Sequence, residues 1–230
     1  MLLNPGIMWL LIIFAMVVGL IAQWRVSSIF KKYSQVPTQR GRTGAEVADE
    51  ILRSAGIDDV QIDRVDSFLG DHYDPTKKVL CLSPGVYDSC SIAAAGIAAH
   101  ECGHAIQHQQ AYLPLKARMM VVPVTMIASK MLPFIMIGGF MFGLFRAIPG
   151  LLELGIAVYA ILTVFQFITL PVEFDASRRA KLIMTNRGIV TLDESHGAAA
   201  VLNAAAMTYV AAFLSAFFHL LYLVSLRDRR

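Results

Sequence analysis

The chain has 230 residues, of which 56% are hydrophobic and 16% charged, a balance that excludes an ordinary soluble domain. Its net charge is only +3, and its basic residues flank long apolar runs, a pattern that reports membrane topology and excludes a nucleic-acid surface. Three cysteines, Cys81, Cys90 and Cys102, show no C-x-x-C spacing; they fit neither a disulfide framework nor a thiolate metal site, and a reducing compartment suits them.

The first apolar run covers residues 7–22 and, with its flanks, reaches the ~20 residues a membrane span needs. No Lys or Arg precedes Arg25, so an uncleaved anchor fits better than a signal peptide. Arg25, Lys31, Lys32, Arg40 and Arg42 follow closely, which puts the next segment in the cytoplasm and the N-terminus outside. Thr43 and Glu46 form a capping box, and a structural helix is expected from there to about Ser54, with Gly56 as its stop. Its buried stripe is Val47, Ala48, Ile51 and Leu52.

Residues 60–65 alternate as a short strand. Residues 68–73 and 78–82 flank Asp74-Pro-Thr-Lys77 and predict a hairpin. A sheet edge of this kind can bind an extended peptide as an added strand, so His72 and Tyr73 are candidate substrate-binding residues. Ser83-Pro-Gly85 ends the strand, and Asp88 or Ser89 is placed to cap the helix that follows, which should reach about Gln109.

That helix carries Ala98-Ala-His-Glu-Cys-Gly-His-Ala-Ile-Gln107, an H-E-x-x-H motif. Residues four apart lie one turn above each other on a helix, so His100 and His104 can reach a single metal ion. Glu101 is rotated about 100° from His100, leaving it free to act as a base. Two neutral imidazoles, an open position and a carboxylate are what a zinc hydrolase requires. Cys102 points away from both histidines and reads as core packing. His108 stands about 12 Å along the axis from His100, too far to share its ion.

Residues 119–145 form one span with Pro123 and Pro133 as kinks and Lys130 snorkelling toward the cytoplasmic surface. A turn with Arg146 leads to a return span over residues 151–170. Pro171 then favours a fresh helix start, with Glu173 in its first turn. Both this segment and the motif helix adjoin the same spans, so Glu173 is the expected third ligand, with Asp175 as its rival. From about Met207 to Leu226 a further run is long enough to cross. Crossing would put Arg227, Arg229 and Arg230 outside, against the positive-inside tendency; a helix lying in the interface would remove that conflict. His196 and Tyr209 follow the third-ligand segment and are candidate catalytic donors to an oxyanion.

The motif above, together with Leu-Pro-Val-Glu173-Phe-Asp-Ala-Ser-Arg-Arg-Ala, Asp71-His-Tyr-Asp-Pro75, Leu82-Ser-Pro84 and Val201-Leu-Asn-Ala-Ala-Ala-Met-Thr-Tyr-Val-Ala211, closely resembles the YugP-like membrane zinc metallopeptidases of bacteria. More distantly the chain looks like the HtpX and CAAX prenyl protease group. The resemblance implies that His100, His104 and Glu173 bind one Zn2+ and that Glu101 is the base. The distant group often reads E-x-x-x-D on its third-ligand helix. Here Ser177 holds that fourth position, so Asp175 is the expected substitute for the missing support.

The fold expected is a mainly α integral membrane protein with a zincin-like helical core, a small β-hairpin or sheet on the cytoplasmic side, and three to four transmembrane helices. Its expected parts are an anchor (1–24), a catalytic region (25–118), a transmembrane hairpin (119–171), a third-ligand segment (172–206) and a C-terminal transmembrane or interfacial helix (207–230). The expected activity is a zinc metalloendopeptidase at the cytoplasmic face of the cell membrane. Its partners are membrane-associated or unfolded polypeptides and the bilayer, with no nucleic acid; a non-catalytic zinc-stabilised membrane scaffold or chaperone is the alternative.

Overall fold

A computed structural model describes residues 5–66 and 70–228. In chain order the elements are α1 (Pro5–Tyr33), α2 (Gly44–Ser54), β1 (Gln61–Arg64), β2 (His72–Asp74), β3 (Val79–Leu82), α3 (Pro84–Tyr87), α4 (Ile92–Gln109), α5 (Leu113–Met141), α6 (Leu144–Ala147), α7 (Leu151–Asn186) and α8 (Leu192–Arg227). The chain is a helical membrane protein: α1, α5, α7 and α8 are each long and apolar enough to cross a bilayer. It divides into two compact units. One comprises Met1–Ile21, Ala117–Leu170 and Thr208–Arg230, the other Ala22–Lys116 and Pro171–Met207.

In the first unit, helices α1, α5, α7 and α8 bury Met8, Ala128, Ile135, Leu152, Val158, Tyr159 and Leu223 together. Trp9, near the start of α1, meets Tyr222, near the end of α8, with ring centroids 5.3 Å apart. Phe140, at the end of α5, stacks on the same Tyr222 and meets Phe145 edge to face. Gly139 makes room for this: any Cβ there would collide with the Phe145 ring. The start of α1, the α5–α7 turn and the end of α8 therefore share one end of the bundle. The last helix packs as its fourth member.

In the second unit, the capping box at Thr43 and Glu46 is present, and α2 buries Val47, Ala48, Ile51 and Leu52 as its 3.6-residue period dictates. That stripe packs with Leu80 and Leu82 of β3, the alanines of α4, Ala180 and Met184 of α7, and Ala198 and Leu202 of α8. The hairpin forms between β2 and β3, with Tyr73 opposite Leu80. Its first strand is shorter than the sequence predicts, because Asp71 turns inward to accept hydrogen bonds from the Ser83 backbone and hydroxyl. Phe68 and Leu69, also assigned to that strand, lie outside the described residues, as do Arg229 and Arg230. The strand at residues 60–65 is β1, which pairs in parallel with β3. Sheet order is β1-β3-β2, so β3 is central.

Two local expectations need correction. Ser91, and not Asp88 or Ser89, caps α4, its hydroxyl accepting from Ala94 N–H; Ser89 instead hydrogen-bonds the Ser91 hydroxyl. Pro171 does not start a helix, since α7 runs unbroken through it. A proline removes one backbone bond from a helix interior, and the buried residues just beyond it, Val172, Ala176 and Ala180, hold the continuing turns in place.

Candidate metal centre

Small residues set the geometry. Along α4, Gly96 and Gly103 lie on one face, and both touch backbone of another helix. A Cβ at Gly103 would lie 2.7 Å from the Ala176 carbonyl oxygen of α7, while Gly96 faces Ala198 of α8. Helix α4 thus meets α7 with no side chain between them at Gly103. His100 and His104, one turn apart beside that glycine, are brought against the α7 residue three positions before Ala176, which is Glu173.

The result is a convergent donor set. His100 Nε2 lies 3.2 Å from Glu173 Oε2, and His104 Nε2 lies 3.5 Å from the same oxygen. The two rings stand nearly perpendicular, at 81°, with centroids 4.8 Å apart. Among the described residues these three form the group of His, Cys, Asp and Glu side chains able to hold one ion, one donor atom from each lying within 4.8 Å of the others. Ligands at the corners of a tetrahedron about 2.0–2.1 Å from zinc stand about 3.4 Å apart. Both measured nitrogen–oxygen separations bracket that edge, so the donor set fits zinc.

Electrostatics favour a cation there. Burial by itself would raise the Glu173 carboxyl, which lies beyond the membrane unit, but hydrogen bonds and charge from both imidazoles outweigh it and hold the group well below the usual carboxylate range. Burial also opposes a charged His104; its bond to Glu173 and the nearby Glu101 and Glu173 charges override that, and raise it above an ordinary imidazole. Glu101 is itself only 8% exposed, and its charge reaches His104. The three ligand candidates and the candidate base are thus together in one unit, on α4 and α7.

Both imidazoles are also held from behind. His100 Nδ1 meets Ser177 Oγ at 3.2 Å, so the residue in the fourth position after Glu173 does contact a histidine. His104 Nδ1 lies 3.0 Å from Gln107 Oε1. Gln107, fully buried, was not singled out from the sequence. Its one signal is the i+3 spacing from His104, which any helical residue there would share. Asp175 is not a ligand candidate in this geometry; it accepts from Gln107 and pairs with Arg178 and Arg179.

The remaining sequence candidates lie on β2 and α8. His72 is exposed on β2 and donates to the Gly70 carbonyl at 2.7 Å. Tyr73 bonds His108 Nδ1 through its hydroxyl at 2.9 Å; burial, with Asp59 and Asp74 nearby, pushes that phenol up to about 12. His196 is exposed in the second turn of α8, and Tyr209 is half-buried further along that helix. Cys102 packs in the core with its thiol toward the Ala48 carbonyl.

A family model described as "Putative neutral zinc metallopeptidase" matches residues 8–228. The chain belongs to this zinc metallopeptidase family. It is also 46% identical, over 203 residues, to the protein of Bacillus subtilis (strain 168) named "Putative membrane protease YugP", an alignment covering 88% of each chain. No solved structure matches it. A zinc metallopeptidase needs a metal held by protein ligands with one position left open, and His100, His104 and Glu173 supply three donors of the right chemical type.

Proposed function

We propose that this zinc metallopeptidase is a membrane-embedded endopeptidase that hydrolyses membrane-associated or unfolded polypeptides, with Glu101 as general base. The observation that carries the reading is the approach of His100 and His104 Nε2 to one Glu173 oxygen, at 3.2 and 3.5 Å, beside a largely buried Glu101. One zinc ion held by these three would act as a Lewis acid on the scissile carbonyl and acidify water. Glu101 takes the proton from the attacking water and delivers it to the leaving amine. His104 and His100 stay neutral while they ligate, and Glu173 supplies the single negative charge of the ligand set.

The substrate runs as an extended strand along the open edge of β2, with His72 and Tyr73 at the contact. His196 is the proposed donor to the oxyanion; a lower kcat at unchanged zinc content in His196→Ala is the measurement that keeps or removes it. Basic residues from Arg25 to Arg42 and from Arg178 to Arg187 support a site on the cytoplasmic face.

The test is purification in detergent, zinc analysis, and cleavage of casein or a membrane protein by wild type and Glu101→Gln. The variant is expected to hold zinc at wild-type stoichiometry while losing activity by roughly 10²–10⁴-fold. Equal cleavage by both proteins would remove Glu101 from its role, and a zinc-bound wild type that cleaves nothing would favour a scaffold.

A further inference from the structure

We propose that Gln107 is a positioning residue that decides which nitrogen of His104 is offered to the metal, and so presets one of the two imidazole ligands before any ion arrives. The inference rests on the zinc reading of His100, His104 and Glu173.

The argument begins with the far end of the Gln107 side chain. Its Nε2 lies 2.8 Å from the Val172 carbonyl oxygen and 3.0 Å from Asp175 Oδ2. A carbonyl has no proton to give, and neither has a carboxylate paired with Arg178 and Arg179. Reversing the amide would set its oxygen against two acceptors inside a fully buried site, where an unmet polar group is costly. The NH2 end must therefore face Val172 and Asp175.

The remaining amide atom, Oε1, faces His104 Nδ1 at 3.0 Å. As a pure acceptor it requires a proton on that nitrogen. In the neutral imidazole, which carries one N–H, Nε2 then keeps the lone pair that a metal would take, 3.5 Å from Glu173 Oε2. Nothing comparable fixes His100: its Nδ1 partner is the Ser177 hydroxyl, which donates or accepts equally well. The site thus pairs one preset imidazole with one adaptable imidazole. Because the link is a neutral amide and not a carboxylate, it orients His104 without adding negative charge to the ligand set.

Two readouts test this. In metal-free protein labelled with 15N-histidine, held above the pH of imidazole titration, His104 is expected as the Nδ1–H tautomer, and Gln107→Leu should shift it toward Nε2–H. In a chelator competition for zinc, Gln107→Leu should bind about 10–100-fold more weakly than wild type, the range for lost outer partners of metal ligands.

Unchanged tautomer and affinity in Gln107→Leu would overturn the proposal. If Gln107→Leu does not fold, Asp175→Ala removes one anchor of the amide while leaving the core intact; it should weaken zinc binding to a lesser degree, and wild-type affinity there would count against the idea. Absence of zinc binding by wild type would sink the metal reading instead, and the tautomer measurement would still judge Gln107 separately.

Discussion

Buried side chains in this protein have roles that follow from their partners. Cys102 illustrates the point: it sits between the two histidines in sequence, yet burial and the nearby Glu101 charge drive its thiol well above an ordinary cysteine, and its sulfur lies against the Ala48 carbonyl. Only the thiolate is nucleophilic, so iodoacetamide is expected to modify the half-buried Cys90 and Cys81 in folded protein and Cys102 only after denaturation. Mass spectrometry of labelled peptides checks this; rapid native labelling of Cys102 would contradict its place in the core. Glu173 and Asp175 make the complementary case. They differ by two positions on a helix, about 200° of rotation, and one faces the imidazoles while the other faces Gln107 and two arginines. Helical geometry in the sequence already required that only one of them ligate. The amide between Asp175 and His104 was not legible, because glutamine at that spacing is common on any helix and acquires meaning only when its neighbours are known.

At the scale of elements, the metal site depends on how closely α4 and α7 approach. Gly103 is where they meet, with the Ala176 carbonyl oxygen and Cα only 2.7 and 3.1 Å from a hypothetical Cβ. Gly103→Ala must push α7 outward, since backbone cannot swing aside as a side chain can. Because the ligands are divided between those two helices, the displacement separates Glu173 from both histidines. The variant is expected to lose zinc binding while keeping its far-UV circular dichroism, and full zinc occupancy by metal analysis would refute the steric account. The same division predicts the effect of metal removal. An ion bridging α4 and α7 stabilises the folded state by binding it alone, by about 4 kcal/mol when free zinc is a thousand times its Kd. A chelator should therefore lower the thermal midpoint, and zinc but not magnesium should restore it. The capping box of α2 and the hairpin were readable because each is decided within a few residues. The pairing of β1 with β3 and the unbroken course of α7 through Pro171 were not, since both depend on partners far away in the chain.

For the whole molecule, the arrangement of helix ends in the membrane unit bears on topology. Trp9, Phe140, Phe145 and Tyr222 gather at one end of the bundle, which brings the start of α1 and the end of α8 to the same side. With the basic residues after α1 placed in the cytoplasm as proposed, the C-terminus is expected outside despite Arg227. A cysteine introduced at Asp228 should react with a membrane-impermeant maleimide in intact cells, and protection there would return α8 to the interface. Leu223 and Tyr222 of α8 are buried among residues of α1, α5 and α7, so packing draws the last helix into the bundle.

The membrane class, the metal-binding motif and the acidic third partner follow from the sequence by itself, because each is encoded in local composition or in the fixed 3.6-residue period of a helix. Which glycine lets Glu173 approach the imidazoles, and which amide stands behind His104, came only from the tertiary structure. Those facts are distances between residues about 70 positions apart, such as Gln107 and Val172, and no local propensity encodes a distance of that kind.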